Sequence, residues 1–246
     1  MFDLDDASRE YFQDTHFFAD LFNFRIFDGT QVLRPDSLRL LPESVSAGGD
    51  ASRRRDMLAL YRQDGVTYAL FGIENQATQD SSMPLRCLTY DVGSYNSSFK
   101  ALGDSNEKQA KPGRHFASNI CPGDRVPPVV TVVVYWSPHP WTAPLSLHEL
   151  IDFSDPRLKE FAADYKLNLL EPCKIADGDF GKFRTELRDM LHYVKVSGDR
   201  RSAWDFLMNC PSFKNMAARS RRLFFALFPK KGARNLKISF TIPQEA

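Results

Sequence analysis

No apolar run in the sequence approaches the ~20 residues that a bilayer-spanning helix needs, which argues against a membrane partner. The first ten residues are acidic and lack the basic-then-apolar order of a secretory leader, so a soluble, cytoplasmic protein is expected. Cysteine is sparse: Cys87, Cys121, Cys173 and Cys210 are scattered with no Cys-x-x-Cys spacing. That distribution speaks against a disulfide framework and against a structural zinc site, and for reduced thiols. The five histidines form no His-x-x-x-His pair. If the chain uses a metal, oxygen ligands are the available kind.

The 246 residues suffice for one substantial core, with twenty Phe and eight Tyr to fill it. A net charge of +1 conceals an asymmetry. From Lys195 onward eleven Lys and Arg stand against three Asp and Glu, which leaves 21 against 28 for residues 1–194. An acidic body does not suit a wide grip on nucleic acid, whereas a basic tail offers a local, salt-sensitive one. The expected division is a domain over 1–198 and a basic C-terminal tail over 199–246.

Residues 8–27 read as one helix with Phe17, Phe18, Leu21, Phe22 and Ile26 on its apolar side, ended by Gly29 and the Arg34-Pro35 pair. Residues 42–52 read as a loop. Two short apolar runs, Asp56 to Tyr61 and Val66 to Glu74, flank Asp64-Gly65, a hairpin signal. Ser82 and Pro84 start a helix whose Leu85, Leu88, Val92, Tyr95 and Phe99 draw an apolar stripe, followed by a polar loop over 103–119. Val129 to Trp136 is nearly all apolar and mostly β-branched, as in a strand covered on both faces of a parallel or mixed sheet. Ser146-Leu-His-Glu149 has the form of a capping box, Tyr165 to Leu170 reads as a strand, and Phe180 to Val194 as an amphipathic helix. The order defines an α/β fold with a mixed sheet.

The chemistry concentrates in Arg53-Arg-Arg-Asp56 and Gly72-Ile-Glu74-Asn-Gln76. On a strand Glu74 and Gln76 project from one face, and Asp56 lies at the outer end of the neighbouring strand. Whether Asp56 joins that face depends on the hairpin. A plain two-residue Asp64-Gly65 turn pairs it with Ile73, which faces away, so a shared site calls for an odd-length loop or a β-bulge. Two carboxylates and an amide oxygen around one point suit a hard divalent cation such as magnesium.

Arg-Asp56-Met-Leu, Gly-Ile-Glu74-Asn-Gln76, Met83-Pro-Leu-Arg-Cys-Leu-Thr-Tyr-Asp91, Pro128-Val-Val-Thr-Val-Val-Val-Tyr135 and Trp141-Thr-Ala-Pro-Leu-Ser-Leu-His-Glu149 resemble, in order and spacing, the Rpn family. These recombination-promoting nucleases, often labelled transposases, belong to the PD-(D/E)XK nuclease superfamily. Asp164-Tyr-Lys-Leu-Asn-Leu169 and Phe183-Arg-Thr-Glu-Leu-Arg188 extend the resemblance to roughly Phe17 through Lys195, nearest the branch common in Gram-positive anaerobes. The resemblance implies a restriction-endonuclease-like mixed sheet flanked by helices, Mg2+-dependent DNA cleavage, and a role in recombination or mobile DNA. Asp56, Glu74 and Gln76 match the family's Asp…Glu-x-Gln motif. Asp56 and Glu74 are then the metal ligands, and Gln76 positions water or phosphate. Arg86 and Tyr90 match its Met-Pro-x-Arg helix, with Arg86 reaching DNA phosphate or forming a surface ion pair.

The chain departs from the family where Phe18 is followed by Ala19 in place of lysine, which removes a phosphate contact. Asp20 is either an accessory acid for the metal or a residue on a solvated helix face. Arg219 to Lys231 interleaves cations with Leu223-to-Phe228, which could grip DNA, lie on a membrane surface, or be a mobile or replaced C-terminus, its apolar run packed on the body. The leading expectation is a DNA endonuclease, working alone or as a homodimer. The alternatives are a nuclease-fold DNA-binding or regulatory module that does not cut, and a protein-interaction component of a mobile element.

Overall fold

The computed structural model describes residues 3–42, 55–109, 119–214 and 216–227. The chain falls into two units, one of Gln31–Tyr135 and Trp141–Leu170, the other of Met1–Thr30, Trp136–Pro140 and Glu171–Ala246.

The first unit carries a five-stranded sheet in the order β1 (Leu38–Leu40), β2 (Met57–Gln63), β3 (Val66–Gln76), β4 (Val129–Tyr135), β5 (Asn168–Leu170). β1, β2 and β3 run antiparallel, and β3, β4 and β5 run parallel. The valine-rich β4 is an interior strand, with Val132, Val133 and Val134 fully buried, as its unbroken apolar run requires. Asp64 and Gly65 take φ of 52° and 80°, the left-handed pair that a two-residue hairpin turn needs. The short β1 was not evident in the sequence.

Beyond that turn the ladder shifts. Arg62 pairs with Thr67 but Tyr61 pairs with Ala69, so Tyr68 is an extra residue in β3 and the register changes by one. This is the β-bulge that the sequence called for. From Tyr61 to Met57 the register runs to Met57↔Ile73, and its continuation sets Asp56 opposite Glu74.

The crossover from β3 to β4 contains α3 (Met83–Lys108), which follows α1 (Leu4–Phe12) and α2 (Thr15–Phe27) of the other unit in the chain. A parallel pair requires such a crossover. α3 is longer than its apolar stripe indicated and takes in 103–108 of the expected 103–119 loop, of which 110–118 lies outside the described residues. Its stripe is also misassigned. Leu85, Val92 and Phe99 are exposed, while Met83, Cys87, Tyr90, Asp91, Gly93 and Ser94 are buried. Met83 and Cys87 pack with Val133, Tyr135 and Trp141. The inward face is partly polar because it covers the sheet face that bears Glu74.

In the other unit the expected helix over 8–27 is two helices. Asp14 breaks it, its carboxylate accepting the backbone N–H of His16 to cap α2. The expected helix over 180–194 becomes a 3-10 segment, Asp177–Lys182, followed by α4 (Leu187–Val196). The tail is helical where described, with α5 (Arg200–Asn209) and α6 (Ala218–Leu227). Arg222 pairs with Glu10 of α1. Leu223 and Phe224 are buried, the Phe224 ring lying 4.9 Å from those of Tyr193 and Phe213. Leu223 and Phe224 therefore pack within their unit while Phe225 is exposed; Phe228 to Lys231 lies outside the described residues, as do the 43–52 part of the expected loop and Arg53 and Arg54. Among the described residues no helix is long and apolar enough to cross a membrane.

Candidate active site

Asp56 ends the β2–β3 ladder with its side chain. Its Oδ2 accepts the backbone N–H of Asn75 at 2.7 Å, and its own N–H donates to Glu74 Oε1 at 3.4 Å. The two carboxyl-bearing residues are thus neighbours across the strand pair. Gln76, two residues beyond Glu74 in β3, shares its face and pairs with Tyr135 of β4. Asn75, one residue between them, is buried and serves as the donor that fixes Asp56.

Glu74 is fully buried beneath α3. Its Oε2 accepts from Nη2 of Arg86 at 3.0 Å, while Nη1 of Arg86 lies 3.4 Å from Asp80 Oδ2. Burial pushes the Glu74 carboxyl up to about 7, the negative charge of Asp56 pushes it the same way, and Arg86 opposes both. Arg86 is held more firmly protonated by Glu74, although burial works against it. A carboxyl poised near neutrality by desolvation and a second carboxylate is a frequent property of functional sites.

Tyr90 is on the buried face of α3, with the Arg55 guanidinium 5.6 Å from its ring centroid. Burial raises its phenol, and the Glu74 charge adds to that. A phenol so placed supports the site from beneath and offers little surface to DNA. Asp20 belongs to the other unit. It is buried, not on a solvated face, and its oxygens accept from the backbone N–H groups of Arg184 and Thr185 and, at 2.6 Å, from the Thr185 hydroxyl. Those bonds give it a local structural task, the fastening of the chain ahead of α4.

A second polar cluster adjoins the carboxylates and escaped the sequence reading. Arg55 is buried, and its Nη2 donates to Asp91 Oδ1 at 2.5 Å. Asp91 also accepts from the Thr131 hydroxyl at 2.5 Å and from the Tyr165 hydroxyl at 2.6 Å. Gly72 makes room: a Cβ there would sit 2.2 Å from Arg55 Nη1. Two signals for this cluster were present, a lone threonine in the valine run of β4 and an aspartate on the helix face shared with Cys87. The loop carrying Trp141 is pinned by Gln79, whose Oε1 accepts from the N–H groups of Thr142 and Ala143 and from the Thr142 hydroxyl.

Among the described residues no group of three or more His, Cys, Asp or Glu converges as a ready-made metal cage. The donors that do converge are hard oxygens, and the repulsion between Asp56 and the buried Glu74 is of the kind a divalent cation relieves. The chemistry of these donors fits such an ion.

The mixed sheet with a helical crossover covering a paired-carboxylate face defines an α/β protein consistent with a restriction-endonuclease-like fold. The model of the family described as "Putative transposase, YhgA-like" matches residues 56–207, and the chain belongs to that family. No curated protein and no solved structure matches the chain.

Proposed function

We propose that the protein is a metal-dependent DNA endonuclease that hydrolyses phosphodiester bonds in the service of recombination or mobile DNA. The observation that carries this reading is the bulged register that sets Asp56 beside Glu74 with Gln76 on the same face. Membership of a transposase-like family supports DNA as the substrate. It gives no ground for strand transfer, since the residues present suit hydrolysis.

Asp56 and Glu74 would hold Mg2+ or a similar divalent cation, which supplies charge neutralisation at the scissile phosphate and acidifies water. Asn75 keeps Asp56 in place through its backbone N–H. Gln76 has a neutral amide, so it can orient water or a phosphate oxygen but cannot act as a strong base. Arg86 stands next to Glu74 and is partly exposed, which suits a phosphate contact once the carboxylate has another counter-charge. Action as a homodimer on duplex DNA belongs to the same proposal.

Plasmid cleavage by the purified protein tests it, with Mg2+, with EDTA, and with Asp56→Ala and Glu74→Ala. Cutting that needs the metal and disappears in both folded variants is expected. One observation favours a second reading, a nuclease-fold DNA-binding module that does not cut: Glu74 is fully buried and one of its oxygens is engaged by Arg86. Absence of cutting with several divalent metals, together with DNA binding at low salt, would select that reading.

A further inference from the structure

Among the described residues Arg55 is the largest fully buried side chain, and it carries a permanent charge. Its Nη2 is bonded to Asp91, while Nε and Nη1 have no hydrogen-bond partner among the described residues. A buried guanidinium with two idle donors is an expensive feature, and packing alone would be served better by an apolar side chain. Its placement suggests what the cost maintains. Arg55 is the residue immediately before Asp56, where the β2–β3 ladder has already ended at Met57↔Ile73. Beyond that pair, Asp56 is held by its bonds to Asn75 and Glu74 and by the chain on either side. Arg55 ties that chain to α3 through Asp91, and Asp91 is itself tied to β4 by Thr131 and to the strand-leading segment by Tyr165. Gly72, two residues before Glu74, has no side chain to keep the guanidinium away. One anchor therefore reaches the backbone carrying Asp56 and packs against the strand carrying Glu74.

We propose that Arg55, locked by Asp91, is the positioning residue of this site, holding Asp56 against Glu74 so that the two carboxylates form one divalent-cation site. The inference rests on the metal reading above and assigns Arg55 no contact with substrate. Outer residues that orient metal ligands typically alter metal affinity by about 10- to 100-fold when replaced.

The experiment is Mn2+ binding by titration calorimetry, checked by the EPR signal of free Mn2+, on the full chain and on Arg55→Met, Asp91→Asn and the Arg55→Met/Asp91→Asn double variant, each with a thermal melt. Arg55→Met alone leaves Asp91 an unpaired buried carboxylate and loses stability. The double variant removes the charge imbalance and regains much of that stability. Positioning predicts that Mn2+ affinity stays down by about 10- to 100-fold in the double variant although its melt recovers. Recovery of affinity together with the melt would overturn the inference and leave Arg55 a structural ion pair. Tight Mn2+ binding by the wild type and equally tight binding by every variant would also overturn it, with the metal reading intact. Failure of the wild-type protein to bind Mn2+ would instead remove the metal reading, and this inference with it.

Discussion

Replacing Glu74 with glutamine keeps the shape of the side chain and removes a charge that the fold accommodates badly. The carboxyl is pushed from an ordinary 4.5 to about 7 in the folded protein, chiefly by burial and then by Asp56. The folded state thus holds the Glu74 proton over a window, roughly pH 4.5 to 7, in which the unfolded chain has released it. Stability must fall as pH rises through that window, because the native state binds more protons than the unfolded state there. With 1.36 kcal/mol per pH unit, the 2.5-unit difference between those two values amounts to about 3 kcal/mol at pH 8. The contribution of Arg86 is already within that figure, since it is one of the influences that set the shift. Glu74→Gln should therefore match the wild type near pH 4.5 and exceed it by about 3 kcal/mol at pH 8. Urea unfolding followed by circular dichroism at several pH values measures the difference. Millimolar Mg2+ should narrow the gap at pH 8 by stabilising the wild type and not the variant. A gap that is flat between pH 5 and 8, or a variant less stable at pH 8, would refute the argument about the buried pair.

Asp56→Asn removes the second influence that raises Glu74, so the fall in stability with rising pH should be smaller and end at a lower pH than in the wild type, and metal-dependent plasmid nicking should be lost. Gly72→Ala puts a methyl group 2.2 Å from Arg55 Nη1 and should cost about 1–3 kcal/mol, read as a lower urea midpoint. Asp20→Ala strips the acceptors from Arg184 and Thr185 and should cost about 1–3 kcal/mol while leaving Mn2+ affinity unchanged; a loss of affinity would restore Asp20 as an accessory acid. Deletion of Tyr68 takes out the unpaired residue but lets Arg62↔Thr67 run straight on to Tyr61↔Ala69 and Met57↔Ile73, so Asp56 should stay opposite Glu74 and Mn2+ affinity should be kept; its loss would show that the bulge does more than set the register.

The legibility of this fold follows from where one physical effect dominates. β4 was plain because a β-branched run buried on both faces has few other solutions, and the hairpin was plain because Asp-Gly meets a backbone requirement that few residue pairs meet. α3 was found but oriented wrongly. Periodicity weighs residues by apolarity, yet the face that covers a carboxylate must carry Arg86, Tyr90 and Asp91, and so looks like a solvent face. The break at Asp14 was hidden inside a continuous apolar pattern, since a cap depends on one side-chain bond that no period reports. The Arg55–Asp91–Thr131–Tyr165 cluster joins residues 36, 40 and 74 positions apart, a convergence that only the sheet order creates.

The site itself was legible as a condition. From the turn alone, Asp56 faces Ile73 and the carboxylates are separated; with one extra residue in either strand they meet. The sequence posed that alternative without resolving it, because nothing in Thr67-Tyr68-Ala69 marks the bulged residue in advance. Tyr68 is half exposed and its ring lies 6.2 Å from that of Tyr61, so the added residue stays at the outer end of the hairpin, away from the carboxylates. The irregularity thus sits where a sheet tolerates it, while its effect, a one-residue shift, runs unchanged along five paired positions to the end of β2. A chemistry that needs two acids side by side can in this way be set by a defect several residues away: were Tyr68 paired with Tyr61 instead of passed over, the same hairpin would set Asp56 opposite Ile73.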